Sequence, residues 1–234
     1  TNLYQEGGLR ATEDLSLSIL QGATLGGSTT INWTTCFRTP ERVLSIWRKR
    51  YGLHKFTEDY LNPYFERVEQ RLNIYPWVEE LANENNKVIV RGAKKLDWEY
   101  SVLRRNVKGC ANSGFCGMGC PVDAKQGMLL TTIPDALQAG MRLFCNTQAL
   151  RINTSSTRVE RVVAEVIDPL TKKTTGVRVN VNAKIVVSSC GAINGPALFL
   201  RSGLNEKNIV GKRTFLHPVI GVAAEFDKQI NGFY

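Results

Sequence analysis

Apolar residues recur at helical spacing through the first half of the chain and alternate with polar ones in the second. Val43, Leu44, Trp47 and Tyr51 share one helical face, with Thr39 placed to cap the helix, Pro40 at its first position and Gly52 to stop it. The same spacing predicts a second helix over Tyr60–Leu72, with Leu61, Phe65, Val68 and Leu72 inward, and a third over Asn83–Lys95. Trp47, Tyr60, Tyr64, Tyr75, Trp77 and Trp98 fall among these helices; their spacing suits core packing, with the lining of a substrate entrance as the alternative. From Arg142 the period drops to two. Short strands are predicted at Arg142–Cys145, Ala149–Thr154, Val159–Asp168 and Gly176–Val181, joined by turns rich in Ser, Thr and Lys, which makes a β-meander. Ile185–Leu204 then reads as a buried apolar strand, a turn at Gly191, and a helix with Pro196 in its first turn and Gly203 just past its end. The fold class expected is α/β (mixed α+β).

Composition narrows the class. The chain has 234 residues, 43% of them apolar, enough for one large core or two small ones. No run approaches the roughly 18 apolar residues of a membrane span, and the opening T-N-L-Y-Q-E-G-G resembles neither the basic nor the apolar part of a signal peptide. A soluble or peripheral protein is expected, of unreadable localisation. The net charge of +9 raises the question of nucleic acid. Its Lys and Arg are dispersed in short groups (Arg48–Arg50, Lys94 and Lys95, Arg104 and Arg105, Lys172 and Lys173), which fits a solvated surface and no nucleic-acid face.

Two stretches carry chemistry. Gly22–Asn32 reads G-A-T-L-G-G-S-T-T-I-N. Gly26 and Gly27 permit positive φ and let a flat or phosphorylated ligand approach the main chain, while Ser28, Thr29 and Thr30 supply donors in the manner of a phosphate nest. An ordinary turn is the competing reading. Cys110, Cys116 and Cys120 stand at C-x5-C-x3-C spacing on a glycine-rich loop, apart from Cys36, Cys145 and Cys190. Three thiolates there can meet one iron–sulfur cluster or three corners of a zinc site; free or disulfide-paired cysteines are the alternative. His54 and His217 are the available histidines, and neither is assigned to catalysis.

The strings G-G-S-T-T-I-N-W at Gly26–Trp33, F-R-T-P at Phe37–Pro40, A-K-Q-G at Ala124–Gly127, L-H-P at Leu216–Pro218 and the strand–turn–helix at Ile185–Leu204 resemble the glucose-methanol-choline (GMC) family of flavin oxidoreductases, and most closely its long-chain alcohol oxidase branch. The chain departs from that pattern at Ala23, Cys36, Gly195 and Asn205. The resemblance implies FAD, with Gly26, Gly27, Ser28, Thr29 and Asn32 toward flavin and pyrophosphate, Ala149 meeting the adenine through its backbone, and Gly191 at the second contact. Ile31 occupies the place where some relatives carry a flavin-linked His, so it implies non-covalent FAD. It further implies a hydride taken from a long or bulky apolar primary alcohol, or, from similar cysteine spacings, a dehydrogenase subunit with an iron–sulfur cluster and a cytochrome partner. A basic phosphate- or nucleic-acid-binding module is the rival of another class.

A G-x-G-x-x-G unit opening a strand–helix pair is absent from these residues, the string at Gly114–Gly119 having the wrong spacing and no strand before it. An internal piece of a larger enzyme is therefore expected, with its catalytic histidines beyond Tyr234 and the rest of the same enzyme as partner. The organisation implied is a partial FAD-binding domain: glycine loop over 1–40, helical and cysteine-loop segment over 41–140, flavin-domain meander, strand and helix over 141–204, and the start of a substrate-domain sheet over 205–234.

Overall fold

The computed structural model describes residues 2–156, 158–215, 217, 219 and 221–232. It divides into two compact units, Thr1–Arg142 with Glu225–Tyr234, and Leu143–Ala224. Each is built from antiparallel sheet and helix.

In the first unit, helix caps set the boundaries. Helix α1 spans Glu41–Tyr51 and ends where Gly52 turns to φ 68, its N–H returning to the Trp47 carbonyl. Pro40 is its N-cap residue rather than its first. Helix α2, Glu58–Arg71, begins two residues earlier than its apolar pattern because the Thr57 hydroxyl accepts from Tyr60 N. A short strand, β2, follows at Ile74–Pro76. Helix α3, Glu84–Lys95, is capped by Asn83, which accepts from Asn86 N. The inward faces are only partly inward: Leu44 is fully buried, while Tyr51 and Val68 are exposed. The expectation that Val68 points inward is corrected, and Tyr51 likewise stands out to solvent.

Strands β1 (Thr35–Cys36) and β3 (Arg104–Asn106) join β2 in a sheet of order β1–β3–β2, all antiparallel. At two or three residues each they are too short to show a period. The short helix α4, Thr132–Gln138, also escaped the pattern. Beyond β3, Val107 bridges to Lys125, Lys108 N donates to Ala124 O at 2.8 Å and Gln126 N to Asn106 O at 2.9 Å. This ladder draws 124–127 back beside the glycine loop.

The second unit is the meander β4 (Thr147–Ser155), β5 (Arg158–Ile167) and β6 (Thr174–Val181), in that order, with helix α5 (Gly191–Arg201) packed on β4. Ile152, Ala164 and Leu198 form its buried centre. Ser202 ties helix to sheet: its hydroxyl accepts from Ile152 N at 2.9 Å and donates to Leu198 O at 2.6 Å.

Three expectations are corrected here. Arg142–Cys145 is loop, since Gly140 at φ 90 turns the chain and the residues find no partner strand among those described. The run at Ile185 forms no strand either, and Ile185 and Val187 are 81% and 79% exposed. A strand buried on both faces needs neighbours on both sides. Pro196 lies in the middle of α5, not in its first turn, because the helix begins at Gly191; its ring removes one bond, to Ala192. The 205–234 stretch holds no strand among its described residues, and Leu216 and Pro218 of the L-H-P string lie outside them.

Candidate functional site

The glycine loop turns at Gly26, whose φ of 86 caps one turn of 3-10 helix, Gly27–Thr30. Gly27 also has positive φ, 58. What surrounds the two differs. A Cβ on Gly26 would stand 2.8 Å from Thr30 Oγ1 and 3.0 Å from Leu129 N, whereas one on Gly27 meets nothing within 4 Å. Two further glycines allow the loop to close, since a Cβ on Gly22 would lie 2.6 Å from the Gly27 carbonyl and one on Gly127 2.8 Å from Thr29 O. Gly22, Gly26 and Gly127 are packing positions; Gly27 is where main chain stands open.

The hydroxyls brace this turn. Thr29 Oγ1 donates to Gly26 O at 2.5 Å and accepts from Met128 N at 3.0 Å. Thr30 Oγ1 donates to Leu25 O at 2.9 Å, and Ser28 Oγ accepts from Gly22 N at 3.0 Å. The hydroxyl hydrogens of Thr29 and Thr30 are thus engaged by their own loop; two left-handed glycines in tandem turn the Leu25 and Gly26 carbonyls toward the hydroxyls that follow. Asn32 is exposed, its Oδ1 accepting from Thr34 N at 3.2 Å.

Beneath the loop lies a residue to which sequence reading gave no role. Lys125 is only 5% exposed. Its Nζ donates to Thr30 O at 2.8 Å, Asn32 O at 2.5 Å and Cys116 O at 2.6 Å. Burial lowers its pKa from the ordinary 10.5, against the pull of the nearby Cys116 and Cys120 thiols. Arg105 supports the next turn, donating from Nε to Thr34 Oγ1 at 2.9 Å with its guanidinium 4.8 Å over the Trp77 ring. A cation in A-K-Q-G gives no periodic signal of burial, which is why the pattern passed over it.

The cysteines do not converge. Cys110 Sγ donates to Asn112 Oδ1 at 3.7 Å, Cys116 Sγ accepts from Arg105 Nη2 at 3.5 Å, and Cys120 Sγ accepts from Lys125 N at 3.4 Å. All six cysteines are free thiols, and among the described residues no group of three or more His, Cys, Asp or Glu is placed to hold a metal.

Gly26, Gly27, Ser28, Thr29 and Asn32 are together in the first unit; Ala149 and Gly191 belong to the second. Ala149 pairs with Ala164 in β4, just before a bulge at Leu150, and Gly191 opens α5 at φ 79. His54 and His217 are exposed.

FAD is tested against this geometry at Gly27. Nothing lies within 4 Å of where a Cβ on Gly27 would stand, so a flat ring can reach bare backbone there and the residues present are compatible with the group. A cavity of about 20 Å³ lined by Thr29, Thr30, Cys120, Asp123, Lys125 and Gly127 has room for one water but not a ring.

The GMC oxidoreductase family model matches residues 1–219. The chain belongs to the GMC oxidoreductase family. A GMC-type oxidoreductase of Sinorhizobium fredii is 33% identical over 215 residues, 92% of this chain and 41% of its own. A long-chain-alcohol oxidase of Arabidopsis thaliana is 32% identical over 228 residues, 94% of this chain and 30% of its own. The chain therefore spans between 30% and 41% of the length of these curated relatives. The crystal structure of pyridoxine 4-oxidase from Mesorbium loti superposes with a TM-score of 0.59 at 15% identity, over 82% of this chain and 38% of that one, and shows the shared fold. No helix among the described residues is long and apolar enough to cross a membrane.

Proposed function

We propose that this GMC chain forms part of the flavin site of an FAD-dependent alcohol oxidoreductase that acts on a long-chain or bulky apolar primary alcohol. The open main-chain face at Gly27 carries the reading: tandem left-handed glycines leave one bare patch of backbone on a loop whose other glycines are closed by packing. FAD held there non-covalently would supply the acceptor for a hydride from the alcohol carbon. The chain's own part is to bind and orient. Gly27 would offer bare backbone to the ring, Gly26 makes the turn, and Ser28, Thr29 and Asn32 flank it; in the second unit Ala149 and Gly191 would each offer backbone to the cofactor. The Arabidopsis relatives, named as long-chain-alcohol oxidases, support the substrate class. The remainder of the same enzyme is the partner this reading requires, and it supplies the base that takes the hydroxyl proton.

The test uses the whole protein. It is expected to purify yellow with a flavin absorption spectrum, and anaerobic addition of a long-chain primary alcohol should bleach that spectrum faster than ethanol at equal concentration. Colourless protein that takes up no added FAD refutes the cofactor assignment; bleaching by ethanol alone refutes the substrate class.

A further inference from the structure

We propose that Lys125 is the positioning residue of the glycine loop, a cation built into the chain that fixes three carbonyls and with them the open face at Gly27. Three observations carry it. The ammonium has three donors, and each goes to a different carbonyl: Thr30 and Asn32, 95 and 93 residues away, and Cys116, 9 away. Thr30 ends a 3-10 turn and Cys116 begins another, so the lysine joins the end of the glycine-loop turn to the cysteine loop. Among the described residues no carboxylate pairs with it: Cys116, Cys120 and Arg105 act on its charge, and Asp123, which lines the same small cavity, makes no ion pair with it.

A buried charge held by neutral carbonyls alone resembles a monovalent cation site with the ion tethered through its own side chain. Charge-assisted bonds are short and directional, which suits a compact ammonium, while a planar guanidinium cannot aim at three converging carbonyls. Release of the cation would leave the Thr30 carbonyl buried and without this partner, and would free the Asn32 carbonyl. The segment between them carries Ile31, itself buried, so the loop would move as a piece. The effect on flavin rests on the proposed cofactor site; the effect on the loop does not.

The experiment uses the whole protein in wild-type, Lys125→Met and Gly27→Val forms, with two readouts: amide hydrogen exchange over residues 26–34, and the dissociation constant for added FAD by flavin fluorescence. Methionine keeps the volume and removes the charge. Lys125→Met is expected to exchange roughly tenfold or more faster across the loop and to bind FAD about tenfold more weakly, which is about 1.4 kcal/mol. Gly27→Val should lose FAD while the lysine contacts hold, so that exchange at residues 30–34 rises less than in Lys125→Met. Wild-type exchange and affinity in Lys125→Met would overturn the proposal and reduce the lysine to packing. Wild-type protein that binds no FAD removes the cofactor reading and leaves the lysine judged on exchange alone. If Lys125→Met does not fold, Lys125→Ala is refolded with ethylammonium or with ethanol. Recovery of native exchange with ethylammonium only supports the proposal, and recovery with both or with neither overturns it.

Discussion

Neighbouring glycines of one loop are under opposite constraints. At Gly26 a methyl group would strike Thr30 Oγ1 and Leu129 N in a left-handed backbone of φ 86. Strain and overpacking add, so Gly26→Ala should destabilise the protein by about 2–4 kcal/mol, measured by urea unfolding. Gly27 has the same sign of φ but open space. Gly27→Val should therefore cost only about 1–2 kcal/mol of backbone strain and leave a folded protein that no longer retains FAD; full flavin occupancy in that variant would remove Gly27 from the cofactor site. Thiol chemistry divides the cysteines in a similar way. Burial raises the Cys36 pKa, with its hydrogen bond from Asn106 and the Arg104 charge opposing, while Cys145 and Cys190 are exposed. Ellman's reagent at neutral pH should label Cys145 and Cys190 first and Cys36 after them, since the thiolate is the reacting form.

At the scale of elements, helix ends and one ion cluster hold the first unit in shape. Asn83 caps α3 through Asn86 N at 3.0 Å, and Asn83→Ala should cost about 1 kcal/mol, seen as a lowered unfolding midpoint with unchanged m-value. Between β1 and α1, Arg38 grips Glu69 of α2 with both arms, Nε at 2.7 Å and Nη2 at 2.8 Å, and Arg104 of β3 reaches the same carboxylate at 2.9 Å. The cluster thus links the F-R-T-P string, α2 and the small sheet. The Arg38 hydrogen bond, with the Arg104 charge, holds the Glu69 pKa below its ordinary 4.5, burial opposing. A depressed carboxylate pKa gives stability that is present above the unfolded value and lost as pH falls through the folded one. Stability should accordingly decline below about pH 4.5 in the wild type, and Glu69→Gln should show less of that decline while being less stable at pH 7. Equal acid slopes in the two proteins would remove Glu69 from the account.

For the whole molecule, exposed apolar surface is the dominant feature of the second unit and the residues after it. Ile185 and Val187 stand beside Leu170, Phe215 and Val222 among the large hydrophobics left to solvent, the last three at 90%, 87% and 93%. Large hydrophobics left to solvent in this number favour association with other protein. Residues 1–234 expressed alone should therefore elute as soluble aggregates, bind a hydrophobic dye, hold FAD weakly or not at all and oxidise no alcohol. A monodisperse monomer that reduces bound flavin with alcohol would show that a catalytic base lies within these residues, with His217 the first to be tested.

Features with local causes were legible in the residues themselves. Thr57, Asn83 and Gly52 act within one turn of their own helices, and the meander follows from alternation over a few positions, so its three strands fall within two residues of where the pattern put them. The glycine loop was legible as a turn for the same reason: left-handed φ is a property of glycine. What lay beyond reach depends on partners distant in the chain. The apolar run at Ile185 carries the composition of a buried strand, yet a strand exists only where neighbours supply its hydrogen bonds, and none of the described residues does. The split between a packed Gly26 and an open Gly27 is set by Thr30 nearby together with Leu129, about a hundred positions on. Lys125 is the clearest case. Its composition reads as surface charge, and only the ladder from β3 that brings 124–127 under the loop turns it inward, where three carbonyls replace the water a lysine otherwise needs.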